Sequence, residues 1–381
     1  MKPVSFIHTG DIHLDAAGVF SSKGKEWYER RRKDRFLTFE RIIDLCIEEK
    51  VDFLFIAGDL YEHKTVKPST IHFLHNQFLR IPDVHVVITP GNHDPYLINS
   101  FYHVYPWSQN VHIFTPQKST YVFEKHHLAV HGQAFDNFQV KGNAFSNLHA
   151  VEGMQNIYIL HASLTPAESQ DSQYMPFQKT DLKKLEGEYI ALGHFHNHQI
   201  VWEDEGQAKA CYCGSPEPLA IDEEGPRTVI HGVLSNGKLT YRLIPISQME
   251  VYHFRFPVDE LSTESELISR LSDFLAPYSP VEQKIYSIDL TGWRTEDFPL
   301  DVERIERFMV KDFPNIVIND HSMIYYDLDA LELDLSIIGR FVRRMREKME
   351  LAEDENKKKA ILDGIYLGLD ALIHKEVKKR I

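Results

Sequence analysis

At 381 residues, 43% hydrophobic and 12% aromatic, the chain has the material for more than one domain and a sizeable core, and reads as an ordinary soluble globular protein. A formal net charge of −14 argues against nucleic-acid binding by bulk attraction and leaves room only for a local basic patch. Three cysteines, Cys46, Cys211 and Cys213, argue against a disulfide framework; with no signal pattern and no apolar run of membrane-spanning length, the expected location is the cytoplasm, away from any membrane.

The run Val4–Thr9 predicts a first strand, with Asp11 and His13 at its exit. With Ile12 between them, an extended exit points both side chains to one side, which suits joint binding of one metal. Lys23, Lys25, Arg30, Arg31, Arg32, Lys33 and Arg35 then cluster, as either a phosphate-binding patch or a solvated helix start. Phe36, Phe39, Ile43 and Cys46 or Ile47 recur at helical spacing and predict an amphipathic helix over 34–49 that packs on a sheet. Residues 51–57 predict a second buried strand ending in Gly58-Asp59, where glycine admits close backbone approach and the carboxylate is able to bridge two cations. A helix over 69–79 follows, with Ser69 as its expected N-cap.

The third run, 84–88, ends in Thr89-Pro90-Gly91-Asn92-His93-Asp94-Pro95, setting an amide, an imidazole and a carboxylate where a buried strand stops and the backbone turns. Alone, the segment is as compatible with a plain turn as with a site, and Asp94 either orients His93 or caps that turn. Antiparallel strands are expected over 121–124 and 128–131. A buried strand over 157–160 ends in His161, and another over 189–192 ends in Gly193-His194-Phe195-His196. A single histidine after a strand is more often structural than a ligand, but five such polar exits in one order point jointly to a metal centre. Carboxylate, amide oxygen and imidazole without thiolate suit manganese, iron or zinc, and one bridging carboxylate with ligands on each side implies two metals. Among 21 histidines, His63, His131 and His198 are decoys by position, His198 being kept as a candidate either to support the metal ligands or to touch substrate. Cys211 and Cys213 lack the second half of a zinc motif and read as strand packing.

Residues 227–232 and 239–244 read as closing strands of this core. Strands over 251–256, 284–290 and 315–326, with helices over Glu264–Leu275 and 302–313, predict a small α/β domain that is either a packing unit or a cap. From Asp334 the chain turns helical: Ile338, Phe341, Val342, Met345 and Met349 form one apolar stripe, and after a charged run over 353–359, Ile361, Ile365, Leu369, Leu372 and Ile373 form another. These stripes either pack back on the chain or meet a partner. The expected division is 1–247, 248–330 and 331–381.

The ordered exits resemble the calcineurin-like metallophosphoesterase superfamily. Within it, Ala191-Leu-Gly-His-Phe-His-Asn-His-Gln199 and Cys213-Gly-Ser-Pro-Glu-Pro-Leu-Ala-Ile-Asp-Glu-Glu224 resemble SbcD-type DNA repair exonucleases and their YhaO-like relatives. The resemblance implies a four-layer α/β/β/α sandwich carrying a small α/β capping domain and a helical C-terminal tail. It implies that Asp11, His13, Asp59 and His196 hold one divalent cation, most simply Mn2+, and that Asp59, Asn92, His161 and His194 hold the other, with His93 as the catalytic histidine. Where such relatives often carry His or Asp three residues past the bridging carboxylate, this chain has Glu62 followed by His63, which are expected to touch substrate. The implied activity is hydrolysis of DNA phosphodiesters in double-strand-break repair, in a homodimer joined through the tail to an SMC-like ABC ATPase. The alternatives are a phosphodiesterase of cyclic nucleotides or other small diesters, and a non-catalytic scaffold, against which the complete ligand set argues.

Overall fold

The structure, a computed structural model, describes residues 2–16, 25–165, 173–204, 206–278 and 281–374. Its contacts group the chain in two compact units, Met1–Val251 and Tyr252–Ile381, so the helical tail falls with the small α/β sheet.

The first unit is a pair of stacked sheets. β1 (Val4–Thr9), β2 (Phe53–Ile56), β3 (His85–Ile88) and β4 (Val111–Ile113) run parallel, and β11 (Thr228–Ser235) and β12 (Lys238–Pro245) close the other edge antiparallel, giving the order β12-β11-β1-β2-β3-β4. The second sheet has the order β5-β6-β7-β8-β10-β9, with β5 Thr120–Phe123, β6 Leu128–Gly132, β7 Gln155–His161, β8 Tyr189–Gly193, β9 Gln199–Asp204 and β10 Gln207–Tyr212. Strand alternation assigns each face: Phe6, Phe53, Phe55 and Val87 turn inward to meet Val130, Ile157, Ile159, Ala191 and Cys211, while Ile7, Leu54, Ile56, Val86 and Ile88 turn outward. Helices α1 (Lys25–Glu48) and α2 (Pro68–Leu79) cover that outer face with Phe39, Ile42, Ile43, Ile71, Leu74 and Phe78, and one-turn α3 (Phe101–Val104) adds Tyr102. Over the second sheet the outer layer is thin: loops contribute Phe135, Phe145, Met175 and Phe177, and one-turn α4 (Lys179–Leu182) contributes Leu182. The α/β/β/α sandwich therefore holds, with its last layer mostly irregular. Cys211 and Cys213 pack between the sheets, and burial pushes the Cys211 thiol up to about 12.

Several local expectations are corrected. The first helix starts at Lys25, nine residues before the expected 34, because its amino-terminal arginines are anchored by long-range partners that periodicity does not show. Arg31 is buried and donates to Asp34, Glu217 and the Pro218 carbonyl; Arg32 donates to Asp15; Arg35 donates to the Ala16 carbonyl. These three are internal cross-links, so they form no phosphate-binding patch, while Lys23 lies outside the described residues. Ser69 does not cap α2: Pro68 takes the first turn and Lys67 is the cap residue. The expected strand over 315–326 breaks into two, β16 (Ile316–Asp320) and β17 (Met323–Ile324), which join different sheets.

In the second unit, β13 (Glu250–Pro257), β14 (Lys284–Thr291) and β16 form one sheet, with β14 and β16 parallel, and β15 (Trp293–Arg294) pairs β17 in another. Leu267, Leu271 and Leu275 of α5 (Glu264–Leu275) and Ile305 and Met309 of α6 (Val302–Met309) fill the core with Tyr286, Ile288 and Ile318. After α7 (Leu328–Leu333), α8 (Ile337–Glu350) and α9 (Glu355–His374) turn Ile338, Phe341, Val342, Met345, Ile365 and Leu369 onto each other and onto Trp293 and Tyr326. Much of both apolar stripes is thus satisfied within the chain; Leu335, Ile337 and Leu351 remain largely exposed.

Candidate metal centre

The register places five strand exits at one end of the sandwich: Thr9 pairs Ile56, Ile56 pairs Ile88, and His161 pairs Gly193. The sheets approach so closely there that a Cβ on Gly58 would fall 2.4 Å from His161 Nδ1, and one on Gly193 would fall 1.9 Å from the Ala57 carbonyl oxygen. Side chains from both sheets therefore share one pocket.

Asp11 and His13 do reach the same pocket, but not by an extended exit. Both sit at φ +50°, as does Asp59 at +52°, and the turn is held by backbone bonds from Asp11 N to Gly58 O (3.0 Å) and from Ile12 N and His13 N to Asp59 O (2.9 Å each). Left-handed backbone at non-glycine residues is unfavourable and persists only where its surroundings fix it. Here two exit loops fix each other.

Asp59 stands at the centre. Its Oδ1 accepts from the His93 backbone N–H (2.8 Å), which leaves Oδ2 facing His161 Nε2 at 3.2 Å and His13 Nε2 at 3.6 Å. Asp94 accepts from the backbone N–H groups of Gly91, Asp59 and Leu60 and from the Tyr102 hydroxyl. It binds the two turns together and makes no bond to the His93 ring.

Tautomers follow from the outer partners. His161 Nδ1 lies 2.9 Å from the Ala57 carbonyl, which only accepts, so that nitrogen carries the proton and Nε2 of the neutral ring is a lone pair. Yet Nε2 faces Asn92 Oδ1 at 2.9 Å, Asp59 Oδ2 at 3.2 Å and His194 Nδ1 at 3.3 Å. Electron-rich atoms this close together call for a proton or a metal cation among them. Burial works against a charged ring, but Asp59 still pushes His161 up to about 9, while burial and His161 push His194 down to about 3. On the other side, His13 Nδ1 donates to Glu62 (2.8 Å) and His196 Nδ1 to Glu223 (2.8 Å), turning both Nε2 atoms inward. His13 Nε2 is buried without a hydrogen-bond partner, as a cation ligand would be. Three groupings, Asp11–His13–His196, Asp11–Asp59–His161 and His13–Glu62–His93, place their donor atoms closely enough to hold a metal ion.

Of the remaining sequence candidates, His93 is partly exposed beside His13, with ring centroids 4.8 Å apart, and its Nδ1 lies 2.9 Å from Glu62. That hydrogen bond raises the His93 pKa against partial burial. The bonds from His13 and His93 more than offset desolvation and bring Glu62 down to about 2. His63 packs edge-on to Phe138 and its backbone N–H donates to the His93 carbonyl; His198 Nδ1 donates to the Tyr212 carbonyl; His131 is occupied by Thr120 and Asn156. The carboxylate of Glu223 is the functional feature that sequence reasoning missed, while Asp94 takes the turn-binding one of its two expected roles. The Gly214-Ser215-Pro216 segment was the available signal for Glu223.

A family model described as calcineurin-like phosphoesterase matches residues 4–198. The chain is 28% identical over 250 residues to the uncharacterized metallophosphoesterase YhaO of Bacillus subtilis, covering 63% of this chain and 60% of that one. It is 26% identical over 289 residues to the SbcD component of the nuclease SbcCD of Escherichia coli, covering 61% and 66%. It is likewise 26% identical over 231 residues to the DNA double-strand break repair protein Mre11 of Saccharolobus solfataricus, covering 58% and 56%. In each case the match spans less than two thirds of the relative's length.

Proposed function

The chain belongs to the calcineurin-like phosphoesterase family, and from that premise we propose that it is a divalent-metal-dependent DNA nuclease. The observation that carries this reading is that Asn92 Oδ1, Asp59 Oδ2 and His194 Nδ1 all lie within 3.3 Å of His161 Nε2, while Asp59 Oδ2 also faces His13 Nε2 at 3.6 Å. Asp11, His13, Asp59 and His196 would hold one cation, and Asp59, Asn92, His161 and His194 the other; the donor set suits Mn2+. Cations held by these residues would supply charge neutralisation of the diester, a lowered pKa for a water and stabilisation of the leaving oxygen.

The chain's own residues supply the rest. Glu62 fixes the rings of His13 and His93 together, so that His93 presents Nε2 on the open side of the pocket. There His93 is placed to give a proton to the leaving oxygen. Asp94 holds the β2 and β3 exits in register, which keeps Asp59 and Asn92 in reach of the same point. In this reading residues 248–330 cap the site and select the DNA form, His63 and His198 lie where substrate passes, and the chain works as a homodimer. The exposed Leu335, Ile337 and Leu351 of 331–381 would meet the coiled coil of an SMC-like ABC ATPase. A pull-down in which the chain truncated after Leu335 still retained that ATPase would remove the docking role.

One observation favours a second reading. Arg31 and Arg32 of α1 are committed to Asp34, Glu217 and Asp15, in a chain whose net charge is already −14, which suits a small diester as substrate. The deciding assay incubates the purified chain and Mn2+ with end-labelled linear duplex DNA, alone and with the ATPase partner, beside bis-p-nitrophenyl phosphate. Shortening of the label is expected; hydrolysis of the small diester with DNA inert in both arms would favour the second reading.

A further inference from the structure

The segment after Cys213 has no part in the chemistry above, yet it is built tightly around one ligand. Gly214 adopts φ +77°, and a Cβ there would fall 2.8 Å from the His196 carbonyl oxygen and 2.9 Å from His198 N. Ser215 N donates to that same His196 carbonyl (2.9 Å). The backbone of 214–215 is thereby pressed against the loop that carries His196.

Glu223 closes the arrangement. It is 3% exposed, and its two oxygens are divided between tasks: Oε2 accepts from Ser215 Oγ (2.6 Å) and Leu219 N (3.1 Å), leaving Oε1 for His196 Nδ1 (2.8 Å). Arg227, also buried, braces the assembly from behind by donating to Ser215 O (3.1 Å), Ser215 Oγ (3.0 Å) and Asn197 Oδ1 (2.9 Å). The other inward-facing imidazoles have less dedicated holders. His161 leans on a backbone carbonyl, and His13 shares Glu62 with His93.

We infer that Glu223 is the positioning residue of His196, and that Ser215 and Arg227 lock its carboxylate so that one of the two cation positions is pre-formed independently of the other. The inference rests on the dinuclear reading proposed above. A carboxylate on the far nitrogen fixes the ring's tautomer and orientation and raises its basicity as a ligand. Because His196 is the one candidate ligand that the bracket touches, its loss acts on the position formed by Asp11, His13 and His196 and spares the one formed by Asn92, His161 and His194.

The test is calorimetric titration of the 381-residue chain with Mn2+, wild type beside Glu223→Ala, Glu223→Gln and Ser215→Ala. The wild type is expected to take up two ions. Glu223→Ala should weaken one of them by about 10–100-fold and leave the other unchanged. Glu223→Gln, which keeps an acceptor, should recover part of that loss, and Ser215→Ala should fall between wild type and Glu223→Ala. In the Zn2+-loaded chain the downfield proton resonance of His196 Nδ1–H should persist in Glu223→Gln and vanish in Glu223→Ala. Unchanged affinity for both ions in Glu223→Ala, or equal weakening of both, overturns the inference. So does a Gln variant no better than Ala. If Glu223→Ala does not fold, unaltered binding by Ser215→Ala overturns it instead. A wild type that takes up fewer than two Mn2+ brings down the dinuclear reading itself, which the variants alone cannot do.

Discussion

In the first unit, four residues of the pocket, Asp11, His13, Asp59 and His194, sit at positive φ, whereas among the described residues of the second unit only Gly292 does. Polar groups differ in the same way. In the second unit several of them cap helices: Thr263 caps α5 by accepting from Glu266 N, Asp301 caps α6 by accepting from Arg304 N, and Asp327 and Ser336 cap α7 and α8. In the first unit buried imidazoles and carboxylates face one another across a gap between two sheets. Each left-handed non-glycine residue costs about 1–3 kcal/mol, so four of them at one pocket mark where stability is given up for geometry.

That contrast breaks most visibly at His93. His93→Ala should lower turnover of a small diester by about 10²–10⁴-fold while both Mn2+ ions stay bound; elemental analysis showing lost metal would make it a ligand instead. Next in size, Gly193→Ala forces a methyl against the Ala57 carbonyl and should lower stability by about 3 kcal/mol in chemical denaturation, together with Mn2+ uptake. A drop in stability with uptake intact would show that the close approach serves packing alone. A third test concerns His8, which joins the sheets through its bond to the Tyr189 hydroxyl (2.9 Å) and is pushed down to about 3 by burial and, secondarily, by His198. Its folded pKa lies below the unfolded value of 6.5, so the stabilisation is complete above pH 6.5 and is lost as pH falls toward 3. By pH 5 the loss reaches about 2 kcal/mol. His8→Phe should flatten this acid limb in denaturant melts; an unchanged limb would assign it to the carboxylates. The smallest effect belongs to the second unit: Thr263→Ala should cost about 1 kcal/mol and leave hydrolysis of the small diester unaltered.

The strand exits could be read from the sequence because each couples an apolar run to a short polar motif, and a local pattern is enough to see both. Asp11, His13, Asp59, Asn92, His161, His194 and His196 were named that way, and the structure draws them to one pocket. What stayed hidden depends on contacts far apart in the chain. Arg31 looked like surface charge because Glu217 lies 186 residues away, and Glu223 looked like one more acid because His196 lies 27 residues away. The early start of α1 was missed for the same reason. Asp94 was legible only as one of two alternatives, since its backbone partners Asp59 and Leu60 sit on another strand's exit. The β9–β10 hairpin was missed because β9 alternates little and is largely exposed.

The pocket's candidate ligands are divided between the sheets: Asp11, His13, Asp59 and Asn92 follow strands of one, His161, His194 and His196 strands of the other. On the dinuclear reading, a cation there is a rivet through both plates of the sandwich. The sheets cannot separate without releasing it, so saturation at a hundred times the dissociation constant adds about 2.7 kcal/mol to the equilibrium cost of parting them. Metal supply would then govern how long the folded chain survives a protease, as well as how fast it cuts its substrate.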